Sequence, residues 1–516
     1  MKTVALGSRD GKWIMVSSIL ASSMAFIDGT ALNVVMPSLQ KSLHATATDL
    51  FWVLNAYLLM LAALILIGGS LGDQLGRKRI FMIGIFIFIT GSAACGFAPD
   101  VTWLIIFRAI QGIGGALMIP GSLSLISSSI QPDERGKAIG TWTAFTTVVT
   151  VGGPALGGAL GDAGLWRYIF FINVPLGLAS LLILSLRVKE SRDEAVQHKI
   201  DYPGAVSMVL GLALFTFGFL RIPALGYHHP QVIISVIAGI ILLVVFVIIE
   251  YKSSHPMMPL SLFSNSTFTG ANLLTFFLYA GLGAAMLFMS LNMVQVQGYS
   301  QLQSGLTFLP FPVLMIFIAR RMGSIADKHG PRLLLIIGPA IAGVGFLLLS
   351  FVKQTAGASD YWTSFFPGIL VFGIGMAVTV APLTTAVMTS VSDHFSGTAS
   401  GVNNAVSRIA GVFTNAVFGT LAVLFFSGAL QREVTPLPLN PAQKHAVMAQ
   451  ATNMGNAHVP ENIGPKDKAA IVKTYHNSFI AMYSIILKIS AGLGFAGALM
   501  ALIFIRKGQA KLQGSS

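Results

Sequence analysis

Charge is scarce in this chain. Only 10% of its 516 residues are Asp, Glu, Lys or Arg, while 54% are hydrophobic; soluble domains carry about 25% charged residues. That balance excludes a water-soluble globular protein and leaves a polytopic membrane protein. Cysteine is nearly absent: Cys95 stands alone in an apolar stretch, which excludes an intramolecular disulfide and reads as a small core residue. There is no H-E-x-x-H, and His228 and His229 are adjacent, so they cannot share a helix face as metal ligands do. There is also no P-loop. Neither a metal nor a cofactor is expected, and any driving force has to come from an ion gradient. Gly68, Ser70 and Gly72 match G-x-S-x-G, but that pattern needs a strand-turn-helix setting, and this serine ends an apolar helix inside a repeated motif. An enzyme is not expected.

What the chain has is apolar runs. Fourteen reach the length of about 20 residues that a bilayer requires, beginning near Trp13, Thr48, Arg79, Thr102, Ala138, Arg167, Tyr202, Gln231, Phe268, Leu302, Leu333, Thr363, Ser400 and His476. The first exceeds a signal-peptide core and contains Asp28, so it reads as an uncleaved span. An even count puts both termini on one side. Lys2, Arg9, Lys12, Arg77, Lys78, Arg79, Arg135, Lys137, Arg187, Lys189, Arg192, Lys199, Lys252, Arg320, Arg321, Lys328, Arg332, Arg506, Lys507 and Lys511 fall at the ends and in alternate breaks. The short intervening breaks hold only Lys41, Arg167, Arg221 and Lys353. By the positive-inside bias both termini are cytoplasmic, in a cytoplasmic (inner) membrane. The net charge of +13 is what that topology requires, so it does not call for a nucleic-acid partner.

The chain repeats itself. "GSLGDQLGRK" from Gly69 returns as "GSIADKHGPR" from Gly323, and "QGIGGALMIP" from Gln111 echoes "FGIGMAVTVAP" from Phe372 at nearly the same offset. Two homologous halves of this kind commonly mark transporters with a site at the repeat interface. The expected organisation is an all-α fold: a six-helix bundle at 13–187, a linker at 188–267 with two extra spans, and a second six-helix bundle at 268–505. The extra spans hold few polar residues and read as a lipid-facing insertion. A polar stretch at 427–475 carries several prolines and glycines and reads as a partly ordered extracytoplasmic cap.

Individual residues sharpen the reading. An acid inside a spanning helix costs about 2.5–3.5 kcal/mol and usually handles protons, ions or substrate. Counting at about 1.5 Å per residue puts Asp28 roughly 13 Å and Arg108 roughly 9 Å below the outer surface. The two are therefore expected to interact directly or through water, since an unpaired buried charge is expensive. Asn33 and Gln111 are candidates for the same cavity. Gly112, Gly114 and Gly115 read as close-packing positions. In the fifth span Gly153, Pro154, Gly157 and Gly158 suit a helix that packs tightly and bends. In the repeated loop, glycines make a tight turn that sets Asp73 against a helix N-terminus or a basic side chain.

With these residues in place, the chain resembles a major facilitator superfamily transporter, most similar to the fourteen-span drug:proton antiporter branch. The resemblance covers nearly the whole chain. Asp28–Pro37 is similar to the branch's first-span signature, Gly69–Arg79 to the superfamily's loop signature, Arg108–Gly112 to its fourth-span signature, and Gly153–Gly158 to the antiporter signature, in which Val149 replaces a usual glycine. The resemblance implies the major-facilitator fold and alternating access about a central cavity. It assigns proton coupling to Asp28 and Arg108. It assigns a cytoplasmic latch to Gly69, Asp73, Gly76 and Arg77, with Asp327 and Gly330 in the second copy.

The substrate cavity is expected to include Asn33, Trp52, Tyr57, Gln111, Asn272, Asn292, Asn403 and Asn404, with Asn415 and Arg408 nearby. The tenth and thirteenth spans carry no acid in their interiors, unlike some cation exporters of the branch, so neutral, singly charged or zwitterionic amphipaths fit better than dications. The expected function is multidrug-type export by proton antiport. The partners are an amphipathic small molecule, protons and the lipid bilayer; a periplasmic adaptor joins them only where the source has an outer membrane. Export of one dedicated metabolite or siderophore-like compound uses the same machinery and stays open. A channel needs no repeated halves with latch motifs.

Overall fold

The computed structural model describes residues 3–131, 133–190, 201–391 and 396–506. Among them are fourteen helices, or helix pairs, long and apolar enough to cross a membrane. The only β-pairing among the described residues is an isolated bridge between Val4 and Ile130. Lys2, Arg192, Lys199, Lys507 and Lys511 lie outside the described residues.

The chain divides into two units. The first comprises residues 1–258 with 300–306 and 415–420. It contains α1 (Arg9–Ser42), α2 (Ala47–Leu75), α3 (Arg77–Phe97), α4 (Val101–Ser129), α5 (Arg135–Asp162), α6 (Tyr168–Phe171), α7 (Asn173–Arg187), α8 (Tyr202–Leu225) and α9 (Pro230–Lys252). Its principal pairings are α2 with α4, α3 with α4, α1 with α5, and α8 with α9. The two extra helices, α8 and α9, belong to this unit. Of that pair only α9 leaves most of its apolar surface uncovered. α8 packs on α2, where Phe217 lies 6.3 Å from Trp52 between ring centroids, and the Phe219 carbonyl accepts from Thr420 at 2.6 Å. The extra pair thus packs on the rest of the unit through α8 and leaves the apolar side of α9 uncovered.

The second unit comprises residues 259–299, 307–414 and 421–516. It opens with α10 (Ser266–Gln295). After the short α11 (Gln301–Thr307), nearly all of which belongs to the first unit, it holds α12 (Pro310–His329), α13 (Arg332–Ser350), α14 (Phe366–Thr389), most of α15 (Ser396–Val434), α16 (Pro441–Ala449) and α17 (Pro465–Phe504). α12 and α13 both pack on α14, as α2 and α3 both pack on α4 in the first unit. The echoed glycines explain that correspondence. A side chain at Gly114 would strike the Phe88 backbone of α3, and one at Gly375 would strike the Ala342 backbone of α13. Without a hydrophobic drive between helices in lipid, backbone approach of this kind supplies the packing.

The polar stretch at 427–475 is shorter as a loop than its composition suggests, because α15 continues to Val434 and α17 begins at Pro465. Between them α16 starts with a reciprocal cap, the Asn440 side chain accepting from Gln443 N at 2.8 Å and Gln443 Oε1 accepting from Asn440 N at 3.0 Å. Buried Val447 and Met454 anchor the segment, and Gly455 sits against Gln295 and Phe479. Nearby, burial pushes the Tyr361 phenol up to about 12, so it stays protonated and donates to the Thr307 carbonyl at 3.0 Å.

Candidate functional site

The N-terminal ends of α1 and α4 are set by local chemistry. Ser8 Oγ accepts from Gly11 N at 3.0 Å, and Asp100 Oδ1 accepts from Thr102 N and Trp103 N at 2.9 and 3.0 Å. These caps satisfy otherwise orphaned backbone donors and set the register of each helix. Asp28 on α1 and Arg108 on α4 then meet inside the first unit. Arg108 Nη1 donates to Asp28 Oδ2 at 2.6 Å and to Gln111 Oε1 at 2.7 Å, while Gln111 Nε2 donates to Asp28 Oδ1 at 3.1 Å. Gln111 therefore belongs to this cluster, one turn from Arg108 on the same face. Arg108 Nε donates to the Val53 carbonyl at 3.2 Å, and its guanidinium stacks 4.3 Å from the centre of the Tyr57 ring. Asp28 and Gln111 are 0% and Arg108 is 1% exposed, so the pair is fully desolvated. Such a pair survives burial only when its remaining hydrogen-bonding capacity is met, and here a backbone carbonyl, an amide side chain and an aromatic face meet it. Tyr57 thus serves as the floor of the ion pair. Cys95 is buried in the same neighbourhood, its Sγ 3.9 Å from Gln111 Oε1.

The other expected first-unit cavity residues lie apart from this cluster. Asn33 is half-buried and spends its amide on the Gly29 carbonyl at 3.2 Å. Trp52 faces Phe217 of α8. A position that composition gave no cue to is Asn55, wholly buried on α2 with neither side-chain polar atom partnered.

The glycines of α5 are contact points. A side chain at Gly153 would strike Thr30 Oγ1, and a Cβ at Gly157 would come within 2.5 Å of the Ala31 carbonyl. One at Gly158 would strike the Gln301 carbonyl, while the Pro154 carbonyl meets Gly305. Asp162, at the end of the same helix, accepts from Gln301 N at 2.7 Å and Leu302 N at 2.9 Å. The fifth-span signature is therefore the surface on which both α1 and the start of α11 rest.

In the repeated loop, Gly76 has φ +113°, a conformation that favours glycine, and its Cβ position is filled by the Glu190 carboxylate. Glu190 accepts from the backbone of Lys78 and Arg79, each at 3.0 Å, and so caps the N-terminus of α3. This cap comes from an acid over a hundred residues away in the chain. Lys78 Nζ reaches the Val188 carbonyl at 2.7 Å. In the second copy Gly330 has φ +84°. The side chains of Asp73 and Asp327 lie outside the described residues.

The second unit has a polar centre of a different kind. Asn403 Nδ2 donates to Thr275 Oγ1 at 2.8 Å and to Asn272 Oδ1 at 3.1 Å. Beside it lies a cavity of about 140 Å³ lined by Tyr279, Thr384, Ser400, Asn403, Asn404, Ser407 and four apolar side chains, with no acid among the described lining. Asn292 does not join it. That residue is wholly buried about 30 Å beyond Asn272 along α10, its Oδ1 accepting from Gln297 Nε2 at 3.4 Å.

Known proteins share this architecture. The chain is 30% identical over 448 residues to the multidrug resistance protein Stp of Mycobacterium tuberculosis, covering 86% of this chain and 82% of that one. It is 26% identical over 512 residues to the tetracenomycin C resistance and export protein of Streptomyces glaucescens, covering 98% and 94%. Among solved structures, the inward-facing, unoccupied bacterial homolog of the human lysosomal transporter Spinster matches with a TM-score of 0.64 at 18% identity, over 96% and 98% of the two chains. The model of the Major Facilitator Superfamily matches residues 18–415. With its repeated halves and fourteen membrane helices, the chain belongs to the Major Facilitator Superfamily, a family of multi-pass transporters and not of enzymes.

Proposed function

We propose that this protein exports amphipathic small molecules across the cytoplasmic membrane by proton antiport, with Asp28 as the proton-carrying group. The observation that carries this reading is the wholly buried Asp28 carboxylate, held by Arg108 at 2.6 Å and Gln111 at 3.1 Å. A carboxylate can stay charged at membrane depth only while a cation stands beside it; when the guanidinium withdraws, burial favours the neutral acid. Alternating access supplies that withdrawal. The outward-open state lets Asp28 take a proton as substrate leaves, and inward opening returns the proton as new substrate binds. Arg108 is the counter-charge, Gln111 and Tyr57 hold it in place, and the α5 glycines form the helix surface that must slide during the cycle. Both termini are cytoplasmic in this scheme, as the Lys and Arg distribution supports.

The export of drugs is supported by likeness to the multidrug resistance protein Stp, and near full-length likeness to a tetracenomycin C export protein favours a second reading, a narrower dedicated exporter. The test is accumulation of amphipathic dyes in inside-out vesicles with an imposed pH gradient, comparing the intact protein with Asp28→Asn. Gradient-driven uptake should vanish in the variant, while exchange of labelled for unlabelled substrate without a gradient persists. Unchanged gradient-driven uptake removes Asp28 from coupling.

A further inference from the structure

We infer that the second-unit cavity is a subsite for an acidic group on the substrate, such as a carboxylate or an ionised phenol, and that Arg408 is the residue that receives it. The inference rests on the export reading above and narrows its substrate class.

Arg408 lies inside a spanning helix, about 18 Å along α15 from its first residue. Yet it makes no hydrogen bond or ion pair with any described residue, and its Nε is buried without a partner. A cation at membrane depth is costly, and arginines there normally pair with an acid or with backbone carbonyls. Arg108 does both; Arg408 does neither. Its surroundings say what would satisfy it. Asn404 is one turn before Arg408 and Ser407 is adjacent, so the cavity-lining face of α15 leads to the guanidinium. Tyr279 of α10 lines the same cavity and lies within electrostatic reach of Arg408.

The remaining polar lining, Thr384, Ser400 and Asn403, is neutral and offers both donors and acceptors. A basic ligand would find no counter-charge in this lining. Arg408 itself is not part of that lining, but it follows one turn after Asn404 on the lining helix with its guanidinium unengaged, and a guanidinium binds carboxylates through parallel N–H donors. About 140 Å³ is far below the 300–1,000 Å³ of a whole drug site, so the cavity takes one end of the molecule.

The experiment measures equilibrium binding of two fluorescent probes, 1-pyrenebutyrate and the uncharged 1-pyrenebutyramide, to the full-length protein in detergent at neutral pH. The intact protein should bind the acid at least about tenfold more tightly than the amide, because a site built around a charged hydrogen-bond donor discriminates strongly. Arg408→Gln should abolish the difference by weakening the acid alone, and Arg408→Lys should restore part of it. Equal binding of the two probes by the intact protein, or no binding of either, overturns the proposal. So does a parallel loss of both probes in Arg408→Gln. Asp28→Asn separates this proposal from the coupling scheme: it should retain the preference for the acid while losing gradient-driven uptake, so a failure of one reading leaves the other standing.

Discussion

The first unit's polar centre pairs every charge it buries. Arg108 there has a carboxylate, an amide oxygen and a carbonyl as acceptors and an aromatic ring beneath it. The second unit's centre joins asparagines and threonine to one another and leaves the Arg408 Nε without a partner. Two halves built from one repeat thus hold an arginine at membrane depth in opposite states. A closed pair stores a charge that can be released, whereas an open cation waits for one to arrive. In the proposed scheme that difference divides the labour, with coupling in the first half and substrate recognition in the second.

The sharpest way to break this contrast is to remove each arginine. Arg108→Leu should destabilise the protein by about 3–5 kcal/mol, because it leaves the Asp28 carboxylate buried and uncompensated. Arg408→Leu should be neutral or stabilising, since no acid among the described residues depends on it. Thermal unfolding in detergent reads both, and equal losses would show that Arg408 has a partner after all. Next in size is Gln111→Ala, which removes the donor to Asp28 Oδ1. A hydrogen bond to a charged group contributes about 1.5–3 kcal/mol, against about 1 kcal/mol for the neutral bonds that Asn403→Ala would lose. If Asn403→Ala cost as much as Gln111→Ala, the second centre would be as tightly built as the first. Gly157→Ala comes last. Its methyl group would press on the Ala31 carbonyl from 2.5 Å and cost about 1–3 kcal/mol by overpacking, whereas Gly152→Ala on the same helix meets nothing and should be silent. The same unfolding assay checks both.

Much of this was legible in the chain itself. Apolar run length marks helices because lipid offers the backbone no other hydrogen-bond partner, so fourteen runs became fourteen spans. Helix depth, counted in residues, was enough to bring Asp28 and Arg108 to one level. What such counting cannot supply is which way a side chain turns. Trp52, a candidate for the cavity wall, meets Phe217 of an extra helix, a neighbour that span counting could not name. Asn292 shares a residue type with Asn272 but sits about 30 Å from it. The partner of the α3 N-terminus was equally invisible, since Glu190 lies 112 residues beyond the amide of Lys78 that it accepts from.

The amino-acid sequence by itself determined that the chain spans a membrane, how many times it does so, that it is built twice over, and which charges must be hidden. All of these follow from the cost of placing polar groups in hydrocarbon, which each residue carries wherever the fold takes it. Tertiary structure alone decided which charge has a partner, because pairing depends on contacts of a few ångströms between helices far apart in the chain. Arg108 and Arg408 are the same residue at membrane depth, and only packing made one satisfied and the other open.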